Sequence, residues 1–271
     1  MTGNRALLSA YYINVTDRCS KGGRILFSSV LDLPIFKDID IRDESFVLSR
    51  FTERNYASKQ VVFFQGDEGH EMYIIKSGAL KIYQEHEYKQ IILAHQFPGE
   101  TLGELEVLHH DNRRLASAAT IEKTTLWMIK KPQLEEIIYA FPQIMRRLFY
   151  VISERLRQAN RKIEYLAFLD ARVRVANLLL DLYTNFGVET EEGYMINWKI
   201  TQQHFADMIG IGRESATRAL HEFQDGGLIR MQNKHFIIID LHGLKSLTGP
   251  DRDTSEWRQW HSCHNYNRYN N

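Results

Sequence analysis

Apolar and polar positions change their period several times along the chain, and each change marks a predicted element. Residues 1–30 sustain no period: Tyr11, Tyr12 and Ile13 stand near Lys21-Gly22-Gly23, and the stretch reads as an appended arm. From Ile35 to Phe51, apolar residues at Phe36, Ile39, Phe46, Val47 and Phe51 fall at helical spacing and predict short helices. The runs KQVVFFQ, EMYIIKSG, ALKIYQ, KQIILAHQF, ASAATIEK and TTLWMIK are short and rich in β-branched and aromatic residues. Gly66-Asp67, Ser77-Gly78, Pro98-Gly99 and Asp111-Asn112 divide them. Strands at this spacing predict an antiparallel barrel or jelly roll over residues 31–141.

After Pro132 the pattern turns helical, and after Pro142 it does not break until Asp170. Met145, Phe149, Ile152, Leu156, Ala159, Ile163 and Leu166 alternate steps of four and three, the seam of a coiled coil. The opposite face carries Arg146, Arg147, Glu154, Arg155, Arg157, Arg161, Lys162 and Glu164. Residues 142–169 therefore read as a dimerisation helix, with packing on the chain's own barrel as the alternative use of the stripe.

Residues 170–240 read as a winged helix-turn-helix. A helix ARVRVANLLLDLYTNF stops at Gly187 and is followed by an acidic loop, Glu189 to Gly193. Thr201 is a good N-cap for the helix QQHFADMI, whose apolar face is Phe205, Met208 and Ile209. Gly210-Ile211-Gly212 makes a tight turn, and RESATRALHEFQD forms a second helix stopped by Gly226-Gly227. The runs LIRM and HFIIID, joined through Gln232-Asn233-Lys234, predict the wing. Residues 241–271 turn polar and aromatic and read as a tail.

Composition narrows the function classes. Hydrophobic residues at 44% and charged residues at 25% fit a folded globular chain and exclude collagen-like or low-complexity architecture. No apolar run approaches a bilayer span, and the opening residues lack the apolar core of a secretory signal, so a cytoplasmic protein with no membrane partner is expected. Cys19 and Cys263 are the two cysteines, which excludes a four-thiolate iron–sulfur or zinc site within one chain. His86, His95, His109 and His110 offer haem-ligand chemistry, and His261, Cys263 and His264 offer zinc chemistry without a fourth group nearby. Neither haem nor a metal site is expected. An enzyme on such a barrel needs histidines and a carboxylate clustered on neighbouring strands, and His86 with His95 do not provide that.

The 34 basic and 34 acidic residues cancel to a net charge of +0. Residues 170–240 hold seven basic against ten acidic residues, a net of −3, so any nucleic-acid affinity must come from local placement of charge.

The order barrel, seam helix, winged helix-turn-helix resembles the cyclic-AMP receptor and fumarate-nitrate reduction regulator superfamily of bacterial transcription factors, from about Ile35 to Asp240. The resemblance rests on FFQGDEGHEMYIIKSGALKIY in the barrel, LGELEVL after Pro98-Gly99, and ITQQHFADMIGIGRESATRALHEFQDGGLI at the reading head. It implies an α+β chain: an N-terminal cyclic-nucleotide-binding-like jelly roll, a long dimerisation helix and a C-terminal winged helix-turn-helix. It also implies a homodimer that binds double-stranded DNA and RNA polymerase under control of a small effector, cyclic AMP or another.

In members that bind cyclic nucleotides, the segment similar to LGELEVLHHDNRRLAS cradles the phosphate. Gly103, Glu104 and Arg114 match that pattern, Leu115 replaces the family's hydroxyl residue, and Ala159 and Asn160 replace the helix hydroxyls that reach the base. Chemically, a guanidinium fork with backbone N–H groups suits the phosphodiester, and a carboxylate suits a ribose hydroxyl. At the reading head, arginine matches guanine O6/N7 and glutamate matches cytosine N4, so Arg213, Glu214 and Arg218 are the expected base readers. Ser215 and Thr217 add weaker contacts, and Thr201, Gln203 and Lys234 are candidate phosphate anchors. The expected function is a non-enzymatic, effector-responsive regulator acting as a homodimer through Phe149, Ile152, Leu156, Ala159, Ile163 and Leu166 on a palindrome with TGTGA-like half-sites. The alternative is a cyclic-nucleotide-binding module that controls a protein partner.

Overall fold

A computed structural model describes residues 27–87, 89–248, 258 and 260. Both cysteines, and with them His261 and His264, lie outside the described residues, as does most of the expected N-terminal arm. The chain folds as two compact units, residues 27–161 and residues 162–260.

The first unit is the expected jelly roll. Two antiparallel four-stranded sheets are ordered β1-β8-β3-β6 and β2-β7-β4-β5. The strands are β1 (Thr52–Tyr56), β2 (Val61–Phe63), β3 (Glu71–Ser77), β4 (Leu80–His86), β5 (Lys89–Gln96), β6 (Thr101–Leu102), β7 (Ser117–Thr120) and β8 (Thr124–Lys130). Alternation decides which face each residue enters. Tyr73, Ile75 and Leu126 point between the sheets, where they meet Leu80, Leu102 and Ala118. Met72, Ile74, Trp127 and Ile129 point the other way, onto Leu134 and Ile137 of helix α3 (Lys131–Ala140) and onto Val30, Leu33 and Phe36. The first sheet is thus covered on both faces, which explains why EMYIIKS and TTLWMIK read as nearly continuous apolar runs. Val30, the last residue of the expected arm, is buried in this core. Strand β1 has no apolar alternation to betray it, being mostly exposed along TERNY at the sheet edge beside β8. Helices α1 (Glu44–Leu48) and α2 (Glu104–Leu108) complete this unit's described short elements, with a 3₁₀ turn at Val30–Asp32.

Helix α4 (Gln143–Phe168) carries two adjacent stripes rather than one. Ile144, Leu148 and Val151 are buried, Ile144 and Leu148 within the helical layer of the barrel core. One residue further round, Met145, Phe149, Leu156 and Ile163 stay exposed, Phe149 at 69% and Leu156 at 62%. Packing on the barrel therefore uses a different stripe and leaves the predicted seam open. Arg155, expected on the solvent face, turns back to the barrel and ion-pairs with Glu104 at 2.6 Å.

The second unit is built on helix α5 (Ala171–Phe186), N-capped by the Asp170 carboxylate, which accepts the Val173 N–H at 2.9 Å. A four-stranded sheet ordered β11-β12-β10-β9 stands with it. The acidic stretch expected as a loop is instead the hairpin β9 (Gly187–Thr190) and β10 (Gly193–Ile196), turning through Glu191 and Glu192. Its short, mixed strands hide in a sequence that shows mainly charge. The expected wing is β11 (Ile229–Gln232) and β12 (His235–Ile238).

The start of the predicted tail is structured as well. Helix α8 (Leu241–Ser246) buries Leu244, and Arg258 is only 3% exposed. The Arg258 guanidinium donates to Asp181 at 2.8 Å and to Asn177 at 3.1 Å, while Asn185 donates to the Arg258 carbonyl and accepts the Trp260 N–H. Trp260 packs edge-on to Phe186 and Trp198. The polar composition that suggests a tail is here spent on a buried ion pair. Asp181→Ala removes the carboxylate partner of a buried guanidinium and is expected to destabilise this unit by about 3–5 kcal/mol. Urea denaturation followed by tryptophan fluorescence measures it.

Candidate functional site

Two regions collect the residues singled out from the sequence. The first is the helix-turn-helix. Thr201 caps helix α6 (Gln202–Ile209), its hydroxyl accepting the His204 N–H at 3.1 Å. The turn needs Gly210, which closes α6 with φ 65° in the left-handed region. Helix α7 (Arg213–Asp225) then buries Ala216, Ala219, Leu220 and Phe223. That inward stripe forces Arg213, Glu214, Ser215 and Arg218 outward, and all four are exposed. With Gln202, Gly212 and Thr217 they line one open depression.

Thr217 is held from behind, its hydroxyl donating to Gln202 at 3.1 Å. Gln202 carries no base-reading signal in sequence, and its positioning role emerges only from this contact. Gln203 is exposed and donates to Asp207 at 2.7 Å, one turn on. Lys234 sits at the tip of the wing, where Asn233 and Lys234 have φ of 52° and 65°. Two consecutive positive φ values make a type I′ hairpin turn, whose twist suits the flanking strands. The Lys234 carbonyl accepts the Ile200 N–H at 3.0 Å, fixing the wing turn beside the start of α6. Glu192 is drawn into an ion pair with Arg230 at 2.6 Å.

The second region surrounds Arg114 in the barrel. Its side chain is fully buried, and its guanidinium donates to the Glu71 carbonyl at 2.8 Å and the Gly103 carbonyl at 3.3 Å. The Glu71 carboxylate lies 3.3 Å away and that of Glu106 3.4 Å away, while the Phe63 ring covers one face at 4.2 Å. A side chain at Gly69 or Gly103 would occupy the guanidinium's space, its Cβ falling 2.4 and 2.3 Å from Arg114 atoms. Tyr73 donates to Glu71 at 3.0 Å, and burial followed by the Glu71 charge raises its phenol well above the usual tyrosine range, so it stays a donor. The Leu115 N–H donates to Glu106 at 3.1 Å, whereas the Leu115 side chain is 60% exposed.

Glu104 is wholly buried and faces Arg155 rather than Arg114; the contact is a close ion pair whose angles fall outside hydrogen-bond geometry. Arg155 also donates to the Thr101 carbonyl. Asn160 is exposed on α4, and no hydrogen bond or ion pair joins it to Glu104 or Arg114. The structure therefore gathers Gly103, Arg114 and the Leu115 backbone, sets Glu104 against Arg155, and leaves Asn160 apart. Glu71, Glu106 and Arg155 escape sequence reasoning because each is an ordinary surface-type residue until the fold closes on Arg114. Among the described residues, no three His, Cys, Asp or Glu side chains gather as metal ligands.

Residues 53–140 match the sequence model of the cyclic nucleotide-binding domain, and residues 173–247 match that of the Crp-like helix-turn-helix domain. The cyclic AMP receptor protein of Thermus thermophilus is 30% identical over 199 residues, covering 73% of this chain and 88% of the relative. This chain belongs to the CRP/FNR family of transcription regulators. A CRP-like cAMP-activated global transcriptional regulator of Mycobacterium tuberculosis is 32% identical over 184 residues, covering 68% of this chain and 82% of the relative.

Among solved structures, a mutant CooA from Carboxydothermus hydrogenoformans superposes with a TM-score of 0.69 at 21% identity, covering 83% of this chain and 96% of that one. That likeness shows the fold alone. The c-di-GMP responsive regulator CLP of Xanthomonas campestris superposes with a TM-score of 0.65 at 25% identity, covering 72% and 96%. The fold class read from sequence is thus confirmed, and the CRP/FNR chain is a DNA-binding regulator with a cyclic-nucleotide-binding-like domain. No helix among the described residues is long and apolar enough to cross a membrane.

Gly103 tests how tightly this CRP/FNR barrel is built around Arg114. It stands at φ 80° with no room for a Cβ. Gly103→Ala adds left-handed strain and a clash, and is expected to destabilise the barrel by about 1–3 kcal/mol. A lowered thermal midpoint in calorimetry is the readout.

Proposed function

We propose that this chain is a homodimeric, effector-controlled transcription regulator that binds a palindromic operator and performs no chemical step. The observation that carries this reading is the outward set Arg213, Glu214, Ser215 and Arg218 lining one depression of α7, with Lys234 at the wing tip. Arg213 and Arg218 suit guanine O6/N7 and Glu214 suits cytosine N4 in the major groove, giving a TGTGA-like half-site. Ser215 and Thr217 add weaker contacts, and Thr201, Gln203 and Lys234 anchor phosphates. Because Gln203 already bonds Asp207, its contribution is smaller than that of Lys234.

The stripe of Phe149, Ile152, Leu156, Ala159, Ile163 and Leu166, with Ile152 and Leu166 half-buried and the other four exposed, supports pairing of α4 with a second copy. A two-fold dimer requires an inverted repeat. The barrel receives a small effector, RNA polymerase is the protein partner on DNA, and the site of action is the bacterial cytoplasm.

Leu156→Asp places a carboxylate in the seam and is expected to shift the protein from dimer to monomer in sedimentation equilibrium; an unchanged dimer mass removes the seam from the interface. Arg218→Ala is expected to cost about 1–3 kcal/mol and to relax preference at one G·C pair, whereas Lys234→Ala weakens all sites alike and lowers the salt slope by about one unit. Selection from a random duplex pool, followed by salt titration, separates the two. A consensus without guanine in each arm, or unaltered preference in Arg218→Ala, shows that α7 does not read bases in this way.

A further inference from the structure

The cradle around Arg114 is built to hold an anion, and it already contains one. Its donors are the buried guanidinium of Arg114 and the N–H of Leu115, and both converge on Glu106. One carboxylate oxygen of Glu106 accepts the Leu115 N–H at 3.1 Å, and the other lies 3.4 Å from Arg114 Nη1. A carboxylate and a phosphodiester share the same recognition chemistry: two acceptor oxygens carrying one negative charge, suited to a guanidinium together with a backbone N–H. We propose that Glu106 is a resident anion, filling the place of a phosphodiester in the Arg114–Leu115 cradle and excluding free cyclic nucleotides from the wild-type barrel.

Three further observations support this assignment. The Glu106 side chain is only 7% exposed, so it is built into the cradle rather than resting at its mouth. The guanidinium has little freedom to turn to a second anion. Phe63 covers one face, the Glu71 carboxylate and carbonyl hold Nη2, and the Gly103 carbonyl shares Nη1 with Glu106, so both terminal nitrogens are engaged and the buried Nε–H alone has no partner. Finally, the surrounding side chains set the carboxyls of Glu71, Glu104 and Glu106 against the guanidinium groups of Arg114 and Arg155. With all five ionised, the group carries a net charge of −1, and an incoming phosphodiester adds to the excess. Entry requires displacing Glu106 from both donors and leaving its charge without a partner.

The inference concerns the barrel alone and does not rest on the DNA-reading proposal. It predicts that the effector of this regulator is not a free cyclic nucleotide seated at Arg114. It also identifies Glu106 as the specificity-determining side chain of the cradle.

Isothermal titration calorimetry of the full chain without DNA provides the test, with cyclic AMP as the probe and adenosine as the uncharged control. Wild-type protein is expected to bind cyclic AMP with a Kd weaker than about 1 mM. Glu106→Gly, which vacates the cradle, is expected to bind cyclic AMP at least about tenfold more tightly than wild type, with no matching gain for adenosine. Glu106→Gln keeps the volume and an acceptor for the Leu115 N–H while removing the charge, and is expected to fall between the two. If Glu106→Gly does not fold, a gain by folded Glu106→Gln sustains the proposal. Wild-type binding as tight as that of the variants, no gain in the folded variants, or an equal gain for adenosine overturns it. Because no duplex is present, these outcomes are independent of whether α7 reads bases.

Discussion

A guanidinium with no exposure to solvent is the constraint around which the barrel is arranged. Burying an isolated charge costs several kcal/mol even after relaxation, and that cost is offset by nearby opposite charge and hydrogen bonds. Arg114 obtains the charge, and partners for both terminal nitrogens though not for its Nε–H, from widely separated parts of the chain: Glu71 on β3, Gly103 before α2, and Glu106 within α2. Two glycines keep the space open, and Phe63 supplies a ring face. The short helix α2 is thereby tied to the first sheet through side-chain charge. Helix α4 is tied to the same neighbourhood by Arg155, which pairs with Glu104 and donates to the Thr101 carbonyl.

The same economy governs α4 and α7, where an amphipathic helix satisfies one neighbour and keeps a second face available. On α4 the buried stripe of Ile144, Leu148 and Val151 runs beside the exposed stripe of Phe149, Leu156 and Ile163. On α7 the buried stripe of Ala216, Ala219, Leu220 and Phe223 fixes the outward direction of Arg213, Glu214 and Arg218. Packing is therefore what aims the polar side chains. The acidic excess of residues 170–240 is partly neutralised within the unit, Glu192 by Arg230, Asp181 by Arg258 and Glu222 by Arg172. Those pairings leave α7 to present its arginines without a nearby carboxylate cluster in the same depression, apart from Glu214.

Periodicity and punctuation in the sequence suffice for six of the eight barrel strands, the long helix, the helix-turn-helix and the wing, because each depends on local alternation, caps or glycine turns. The candidate base readers were legible for the same reason: a helix start after Gly212 and the spacing of Arg213, Glu214 and Arg218 are local facts. Tertiary structure alone decided the edge strand TERNY, the hairpin within the acidic stretch and the docking of Arg258, whose local patterns are polar and whose partners lie far away in sequence. It also decided that Arg155 meets Glu104 and that Glu106 meets Arg114. Those outcomes depend on which charges the fold brings together, and a charged side chain carries no periodic signature of the partner that will neutralise it.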